Sequence, residues 1–284
     1  MSTIPTVTLN NGLDIPQLGF GVWQVPDAET PAAIRTAIEA GYRSLDTAAI
    51  YENEVGTGLG IKQAGVPREE LFVTTKLWNS GKADWSGQAG RDAVLREFDS
   101  SLERLGLDYV DLYLIHWPRP MHGSYGNIWK AFEQLAADGR TKAVGVCNFG
   151  QEQLTSLLEL GSVVPVLNQV ELHPHLPQTE LRAFHAEHGI ATEAWSPLGQ
   201  GKGLLTEPVL TKIAEKHGRT VAQVVLRWHL QSDIIAIPKS VTPSRIKENL
   251  NVTGFELDAD DLSAIAALET GERLGPDPQG FDWN

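Results

Sequence analysis

The sequence has few of the features that mark secreted or membrane proteins. It contains a single cysteine, Cys147, and so cannot form a disulfide within the chain. No apolar run reaches the roughly 18 residues that a membrane-spanning helix needs. Residues 1–5 lack the basic and apolar regions of a secretory signal peptide. We therefore expect a cytoplasmic protein with no membrane partner.

Positive charge is scarce as well. The 284 residues include 23 lysines and arginines against 36 aspartates and glutamates, which gives a formal net charge of −13. A chain this acidic is repelled by the phosphates of nucleic acids and by anionic lipids. We therefore expect no nucleic-acid partner.

Short apolar segments and amphipathic helical segments alternate along almost the whole chain. Several of the predicted helices end at a glycine, as at Gly41, Gly65 and Gly106, where a positive φ can end a helix without strain. A predicted hairpin comes first, at residues 7–15, with Asn11 and Gly12 in its turn. Eight predicted strands follow, at residues 18–21, 44–46, 72–76, 110–116, 143–146, 166–170, 191–195 and 234–237.

This alternation predicts the fold class. Eight strands with intervening helices are typical of an α/β protein of the (β/α)8 TIM barrel type. We expect one barrel domain over residues 1–284, with the N-terminal β-hairpin and two additional helices. The alternative fold is a doubly wound open sheet. However, the first strand lacks the Gly-x-Gly-x-x-Gly turn of a dinucleotide-binding half.

Polar residues lie where these apolar strands end. In a TIM barrel the carboxyl ends of the strands form the face that carries catalysis. Alternation places His116 on the same face of its strand as Leu112 and Leu114, so we expect it to point into the barrel. The residues at the strand ends are Asp46, Lys76, His116, Cys147, Asn148, Gln169, Trp195 and Lys239.

Four residues near this face have the chemistry to reduce a carbonyl. The phenol of Tyr51, with an ordinary pKa near ~10, stays protonated at neutral pH and can donate a proton. The ammonium of Lys76 would lower that pKa, and Asp46 would hold Lys76 in place. His116 would steer a carbonyl oxygen toward the phenol. This set suits carbonyl reduction, in which an alkoxide is protonated as a hydride arrives.

The type, order and spacing of these four residues resemble the catalytic tetrad of the aldo-keto reductases. The likeness covers nearly the whole chain and is greatest to bacterial 2,5-diketo-gluconate reductases. The stretches that carry it are TKLW at 75–78, DLYLIHWP at 111–118, NQVELHP at 168–174, WSPLGQG at 195–201 and IPKSV at 237–241. The resemblance implies an NADPH-dependent reductase of small carbonyl compounds, and we expect it to act as a monomer.

The resemblance also implies the roles of the four residues. Tyr51 would be the general acid, and Lys76 and Asp46 would tune it. His116 would orient the carbonyl group of the substrate.

For the nicotinamide end of NADPH, the resemblance implies that Asn148 and Gln169 hold the carboxamide. It also implies that Trp195 stacks on the nicotinamide ring. One residue departs from the family, which usually has serine where this chain has Cys147. Because a thiol donates a weaker hydrogen bond than a hydroxyl, we expect the carboxamide to be held less firmly.

For the phosphate and adenine end, the resemblance implies that Ser196 and Leu198 line the pyrophosphate. The cations Lys239, Arg245 and Lys247 cluster just after the eighth strand, where positive charge opposes the dipole of the following helix. A bound phosphate monoester explains the cluster, and the 2′-phosphate of NADPH is such a group. The resemblance implies that Lys239, Ser240 and Arg245 hold the 2′-phosphate and that Glu248 and Asn249 approach the adenine. We expect Val241 to contact the cofactor as well.

Aromatic residues predict a substrate pocket at the same face. Trp23, Trp78 and Trp117 lie on predicted loops after strands and match the pocket positions of the family. The alternative is that they only seal the barrel. Near the C-terminus, Phe281 and Trp283 would close over the pocket.

Two other functions remain open. Glu171, His173 and His175 suggest a metal-dependent barrel hydrolase. Pro174 interrupts the strand that would put them on one face, and no His-Glu-x-x-His is present, so we expect no metal. The second alternative is a catalytically silent barrel that binds the cofactor and regulates another protein.

Two further histidines do not enter these hypotheses. His185 and His188 lie on a predicted amphipathic helix, and we expect both at the surface.

Overall fold

The computed structural model describes residues 4–80, 83–161 and 163–282. Its first element is an antiparallel hairpin of β1 (Thr6–Thr8) and β2 (Asp14–Pro16). Gly12 has a φ of 84° in the turn between them. The predicted hairpin and its turn are confirmed.

Eight parallel strands form the main sheet, in the order in which they occur in the chain. They are β3 (Phe20–Gly21), β4 (Ser44–Asp46), β5 (Phe72–Leu77), β6 (Val110–Ile115), β7 (Thr141–Cys147), β8 (Leu167–Glu171), β9 (Ala191–Trp195) and β10 (Ile235–Ala236). A parallel bridge joins Leu18, just before β3, to Ala236 in β10, and the Gly19 amide donates to the Ala236 carbonyl over 2.9 Å. The sheet therefore closes on itself, and the predicted (β/α)8 TIM barrel is confirmed.

Helices surround the barrel. They are α1 (Thr30–Ala40), α2 (Glu54–Ala64), α3 (Gly87–Leu105), α4 (Tyr125–Ala137), α5 (Gln151–Leu160), α6 (Thr179–Glu187), α7 (Pro208–His217), α8 (Val221–Gln231), α9 (Pro243–Leu250) and α10 (Ala259–Ala266). Within the described ranges, two helices follow β9 and two follow β10, which gives the two additional helices that were predicted. None of these described helices is long and apolar enough to cross a membrane.

The N-terminal hairpin closes one end of the barrel. Leu9 and Ile15 join the apolar cluster that Leu112 and Leu114 form inside the sheet. The side chain of Asn11 donates to the carbonyl of Lys142, near the start of β7, over 3.1 Å. Since this end lies at the amino ends of the strands, only the carboxyl ends stay open to a ligand.

Helices α2 and α3 touch at a glycine. A Cβ added to Gly58 would lie 1.8 Å from the carbonyl oxygen of Leu105, the last residue of α3. Only a residue without a side chain allows this approach of two backbones. The close packing holds α2 against the barrel, directly after the turn that carries Tyr51.

We predict that Gly58→Ala lowers the free energy of unfolding by about 3 kcal/mol, because the clash is with backbone that cannot rotate away. Urea unfolding measures the change. Gly126→Ala in α4 is the matched control, since its Cβ would meet only the tip of the exposed Leu160 side chain, at 2.9 Å. We expect the control to be neutral or to stabilise by about 0.5–1 kcal/mol. Equal effects of both substitutions would contradict the close contact.

Candidate active site

A buried ion pair lies at the carboxyl ends of β4 and β5. Asp46 pairs in register with Thr74, so Lys76, two residues further along β5, points to the same side of the sheet. Lys76 Nζ donates to Asp46 Oδ1 over 2.6 Å and to the Thr47 carbonyl over 2.9 Å. Lys76 has no exposed surface, and Asp46 is buried. The pair is therefore rigidly held and shielded from water.

Tyr51 completes the contact with this pair. It ends the short helical turn Ala49–Tyr51 after β4, and its hydroxyl lies 3.4 Å from Lys76 Nζ. The ring is half-buried, so its hydroxyl borders the open end of the barrel. The structure thus brings Asp46, Lys76 and Tyr51 together as the strand ends predicted.

The protonation states of Tyr51 and Lys76 follow from their burial and from the ion pair with Asp46. Burial raises the pKa of Tyr51, the Lys76 ammonium lowers it, and Asp46 raises it again, with a net increase over its ordinary value. Lys76 therefore acts in the predicted direction, but burial outweighs it. Burial lowers the pKa of Lys76, but Asp46, Tyr51 and Cys147 together raise it by more, so the ammonium stays charged. Near neutral pH the phenol keeps its proton beside a fixed cation.

His116 lies beside Tyr51. It follows β6 directly, and the two rings meet edge to face with centroids 5.6 Å apart. Burial, and then the charge of Lys76, hold the pKa of His116 well below its usual range, so the imidazole is neutral. Its Nδ1 is buried and has no hydrogen-bond partner among the described residues. The remaining nitrogen, Nε2, is the one available to a ligand.

The residues predicted at the nicotinamide end also meet. Asn148 follows β7 with a φ of 65°, and its Oδ1 accepts from Trp195 Nε1 over 2.9 Å. Cys147 Sγ lies 3.6 Å from Gln169 Oε1 and 3.2 Å from Asn148 Nδ2. Gln169 Nε2 donates to Asp46 Oδ2 over 2.9 Å, which connects this group to the ion pair.

Glu193 also belongs to this network, although the strand ends did not predict it. It lies at the middle of β9 with 1% of its surface exposed, and its Oε2 accepts from Gln169 Nε2 over 2.9 Å. Burial, and then the nearby Asp46 carboxylate, raise the pKa of Glu193 to about 8. The available signal was an acidic residue in the middle of a predicted buried strand.

The residues predicted at the phosphate end lie on the same rim. Ser196 and Leu198 are half-buried in the loop after β9. Lys239 and Arg245 flank the start of α9, and neither forms an ion pair with any residue in the described ranges. Ser240 and Val241 lie just before α9, and Glu248 and the buried Asn249 lie in its last turn. Cations without an ion-pair partner in the described residues are available to a dinucleotide that carries an extra phosphate.

Aromatic side chains form a wall above His116. Trp78 and His116 meet edge to face at 5.6 Å, and Trp117 is buried. Phe281 from the C-terminal segment stacks on Trp117 with ring centroids 3.9 Å apart and lies 6.4 Å from Trp78. The predicted role of Phe281 as a cover for this wall stays a prediction, and Trp283 lies outside the described residues.

Trp23 differs from the other two tryptophans. It is 44% exposed on the loop after β3 and makes no ring contact with the aromatic side chains of the described residues. It borders the open end of the barrel without sealing it.

The candidate metal ligands have other partners. β8 ends at Glu171, ahead of Pro174. The Glu171 carboxylate accepts the backbone amides of Leu274 and Gly275, over 2.6 and 3.0 Å, and lies 3.1 Å from His173 Nε2. Its oxygens therefore hold the C-terminal segment. In the part of the chain that the structure describes, no group of three His, Cys, Asp or Glu is arranged to hold a metal ion.

The prediction that His185 is a surface group is wrong. His185 is fully buried, with Nε2 3.0 Å from the Asn168 amide and Nδ1 2.9 Å from the Thr192 hydroxyl. The face of α6 that carries it packs on β8 and β9. His188, one turn on, is half-buried and stacks on Phe184 with ring centroids 4.2 Å apart.

Comparison with known proteins assigns the family. The model of the aldo/keto reductase family matches residues 17–270. The chain belongs to the aldo-keto reductase family. As an aldo-keto reductase it is an NADPH-dependent oxidoreductase that acts on carbonyl compounds.

Several relatives of this aldo-keto reductase match along their full length. An aldo-keto reductase of Mycolicibacterium smegmatis is 55% identical over 98% of both chains. The methylglyoxal reductase DkgA of Escherichia coli is 50% identical over 99% of both chains. A solved structure of a mutant of Gox0644 in complex with NADPH has a TM-score of 0.92 and 45% identity, and it covers 99% of this chain and 100% of its own.

We predict that Phe281→Ala raises the KM for a carbonyl substrate about 2–10-fold, because the stacked ring on Trp117 contributes about 0.5–1.5 kcal/mol to the wall. We expect kcat to change little. Initial-rate kinetics on a small aldehyde measure both constants.

Gln279→Ala is the control for this prediction. It removes the 3.1 Å bond between the C-terminal segment and Gln153 without touching Trp117. If the control raises KM as much as Phe281→Ala, anchoring of the segment rather than the ring contact is responsible.

Proposed function

We propose that this aldo-keto reductase reduces small aldehydes and ketones with Tyr51 as the general acid. One observation carries the proposal: Lys76 Nζ lies 2.6 Å from Asp46 and 3.4 Å from the Tyr51 hydroxyl, at the open end of the barrel. NADPH, when bound, supplies the hydride that reaches the carbonyl carbon. Tyr51 gives its proton to the alkoxide oxygen that forms.

The ion pair sets the acidity of Tyr51. The phenolate that remains after proton transfer is a buried anion, and burial alone disfavours it. The Lys76 ammonium lies next to that oxygen and stabilises the negative charge. Asp46 keeps Lys76 charged and directs it, so the cation is in place before the reaction starts.

His116 orients the substrate. A neutral imidazole whose Nδ1 is buried can carry its proton on Nε2 and donate it in a hydrogen bond to a carbonyl oxygen. A charged imidazolium would compete with Tyr51 as the acid. The low pKa of His116 therefore favours an orienting role.

The cofactor contacts follow from the rim residues. Trp195, held by Asn148 Oδ1, would offer its ring to the nicotinamide. Gln169 Oε1 and the Asn148 amide would hold the carboxamide, with Cys147 behind them. Ser196 and Leu198 would border the pyrophosphate, and Val241, Glu248 and Asn249 the adenosine. Lys239, Ser240 and Arg245 would bind the 2′-phosphate.

The substrate class rests on the aromatic wall and on the relatives. Trp78 and Trp117 offer an apolar surface beside His116, and Trp23 would extend it from the loop after β3. DkgA is described as a methylglyoxal reductase. We therefore choose methylglyoxal as the first substrate to test, with a generic aromatic aldehyde beside it. Oxidation of NADPH that depends on either carbonyl distinguishes this function from a silent regulatory barrel.

We also propose that the 284 residues act as one domain, as a monomer in the cytoplasm. The acidic surface and the single buried cysteine support this proposal. Sedimentation at micromolar concentration tests it, since a dimer would double the measured mass.

We predict that Tyr51→Phe lowers kcat for carbonyl reduction by about 10²–10⁴-fold, the usual contribution of a positioned acid. NADPH binding, followed by quenching of tryptophan fluorescence, should stay unchanged. Tyr113→Phe is the matched control, because the Tyr113 hydroxyl is buried without a hydrogen-bond partner in the described part of the chain. The control should keep full activity. A Tyr51 variant with near-normal kcat would exclude Tyr51 as the acid.

We predict that Lys239→Ala combined with Arg245→Ala weakens NADPH binding by about 10²-fold at low salt, since each charged contact contributes about 1.5 kcal/mol or less at an exposed site. NADH binding should change little, because NADH has no 2′-phosphate. Titration of both cofactors measures the two constants.

The control for the cofactor prediction is Lys130→Ala, which removes an exposed cation from α4. It should affect neither cofactor. Equal losses for NADPH and NADH in the double variant would mean that these cations do not recognise the 2′-phosphate.

A further inference from the structure

Glu193 is a buried acid that forms no ion pair with any residue in the described part of the chain. Its carboxyl accepts a hydrogen bond from Gln169, whose Nε2 lies 2.9 Å from Glu193 Oε2 and 2.9 Å from Asp46 Oδ2. Another buried acid of the barrel, Asp111, contrasts with it, because Arg68 and Lys142 both pair with Asp111, at 2.7 and 2.8 Å. A buried carboxyl without such a partner costs stability rather than adding it. Fold stability therefore does not account for Glu193.

The contacts of Gln169 show what Glu193 does. The two N–H groups of the amide are divided between two carboxyls, one of Asp46 and one of Glu193. Gln169 Oε1 accepts from the Cys147 thiol, 3.6 Å away. Without the Glu193 oxygen, the amide would keep an unpaired buried N–H and would be free to turn away from Asp46.

The orientation of Asp46 depends on this amide. One carboxylate oxygen, Oδ2, accepts from Gln169, and the other, Oδ1, accepts from Lys76 over 2.6 Å. Fixing Oδ2 fixes the plane of the carboxylate, and so the place of Oδ1. The chain of contacts thus runs from Glu193 through Gln169 and Asp46 to Lys76, whose ammonium faces Tyr51.

We propose that Glu193 is a positioning residue for carbonyl reduction: through the Gln169 amide its carboxyl holds Asp46 in the orientation that directs Lys76 at Tyr51. The proposal rests on the proposed role of Tyr51 as the acid. Glu193 itself touches neither the phenol nor the open end of the barrel.

The protonation of Glu193 follows from the groups that face it. These are Asp46 on β4, Lys76 on β5 and the Cys147 thiol on β7, while neighbouring β10 contributes only Ile235 and Ala236. Burial, and then Asp46, raise the pKa of Glu193 to about 8. Below that pH, Asp46 and Lys76 form a balanced pair beside a neutral acid. Above it, a second carboxylate adjoins Asp46, and the added negative charge makes Tyr51 a weaker acid.

Two substitutions test the positioning role. Glu193→Gln keeps an oxygen that can accept from Gln169, and we expect kcat at pH 6.5 to stay within about threefold of the wild type. Glu193→Met removes both oxygens at similar volume, and we expect kcat to fall about 10–100-fold, the range found for supporting partners in other sites. The KM for the aldehyde should change less than about threefold in both, since Glu193 does not contact substrate.

The pH profile separates positioning from mere support of the fold. In the wild type, kcat for reduction should decrease as the pH rises through about 8, and in Glu193→Gln it should stay level over that range. Asp111→Asn is the control, because it removes a buried acid outside this chain of contacts. It should lower the melting temperature and leave the pH profile unchanged.

The melting temperature gives a readout without turnover. The pKa of Glu193 rises from about 4.3 in the unfolded chain to about 8 in the folded one, so the folded state holds the proton more tightly. The resulting contribution of Glu193 to the free energy of unfolding is complete below about pH 4.3. It is lost as the pH rises to about 8. The melting temperature of the wild type should therefore fall relative to Glu193→Gln between those pH values. Above about pH 8 the difference should stay constant.

Three results would overturn the positioning role: wild-type kcat in Glu193→Met, an unchanged alkaline decrease in Glu193→Gln, or a melting difference that does not vary with pH. If Glu193→Met does not fold, Glu193→Gln and the wild type can still be compared in the pH profile of kcat and in the pH dependence of the melting temperature. These two comparisons then test the positioning role. A folded wild type that fails to reduce aldehydes would overturn the proposed function instead. The melting comparison would then still test the effect of burial and of the nearby Asp46 charge on Glu193.

Discussion

The buried pair of Lys76 and Asp46 is the constraint on which the active end of the barrel depends. The free energy needed to remove both charges from water exceeds the attraction between them unless further hydrogen bonds stabilise the two groups. The Thr47 carbonyl supplies one for Lys76, and the Gln169 amide supplies one for Asp46. The positions of β4, β5 and β8 are therefore coupled through two side chains. A rigid cation beside Tyr51 is the functional result.

The loops that follow the strands carry the backbone strain of the molecule. All the described non-glycine residues with positive φ except Asp233 lie on such loops, and Asn148 and Ser196 are two of them. A positive φ costs a residue with a side chain of order 1 kcal/mol or more, so surrounding contacts must hold it. At Asn148 the bonds to Trp195 and to the His116 carbonyl do so. Strain is thus placed where the nicotinamide is proposed to bind.

The C-terminal segment ties the loops of the rim together. Glu171 holds the amide of Leu274, Gln153 bonds to Gln279, Phe281 stacks on Trp117, and Asp282 forms an ion pair with Arg119. These four contacts reach from β8 to the loop after β6. The segment is therefore fixed at several points along the carboxyl end of the barrel.

The sequence alone determined the barrel, its hairpin and most of the strand-end residues. The spacing of apolar residues and the glycines that end helices or form turns are local signals, which can be read along the chain. His116 faces inward with Leu112 because alternation along a strand is a fixed geometry. Tertiary structure alone decided which groups share a hydrogen bond and how deeply each is buried. The net pKa of Tyr51, the burial of His185 and the link from Glu193 to Asp46 all arise from residues far apart in the chain. Such quantities sum contributions of several packed elements, and no local pattern encodes that sum.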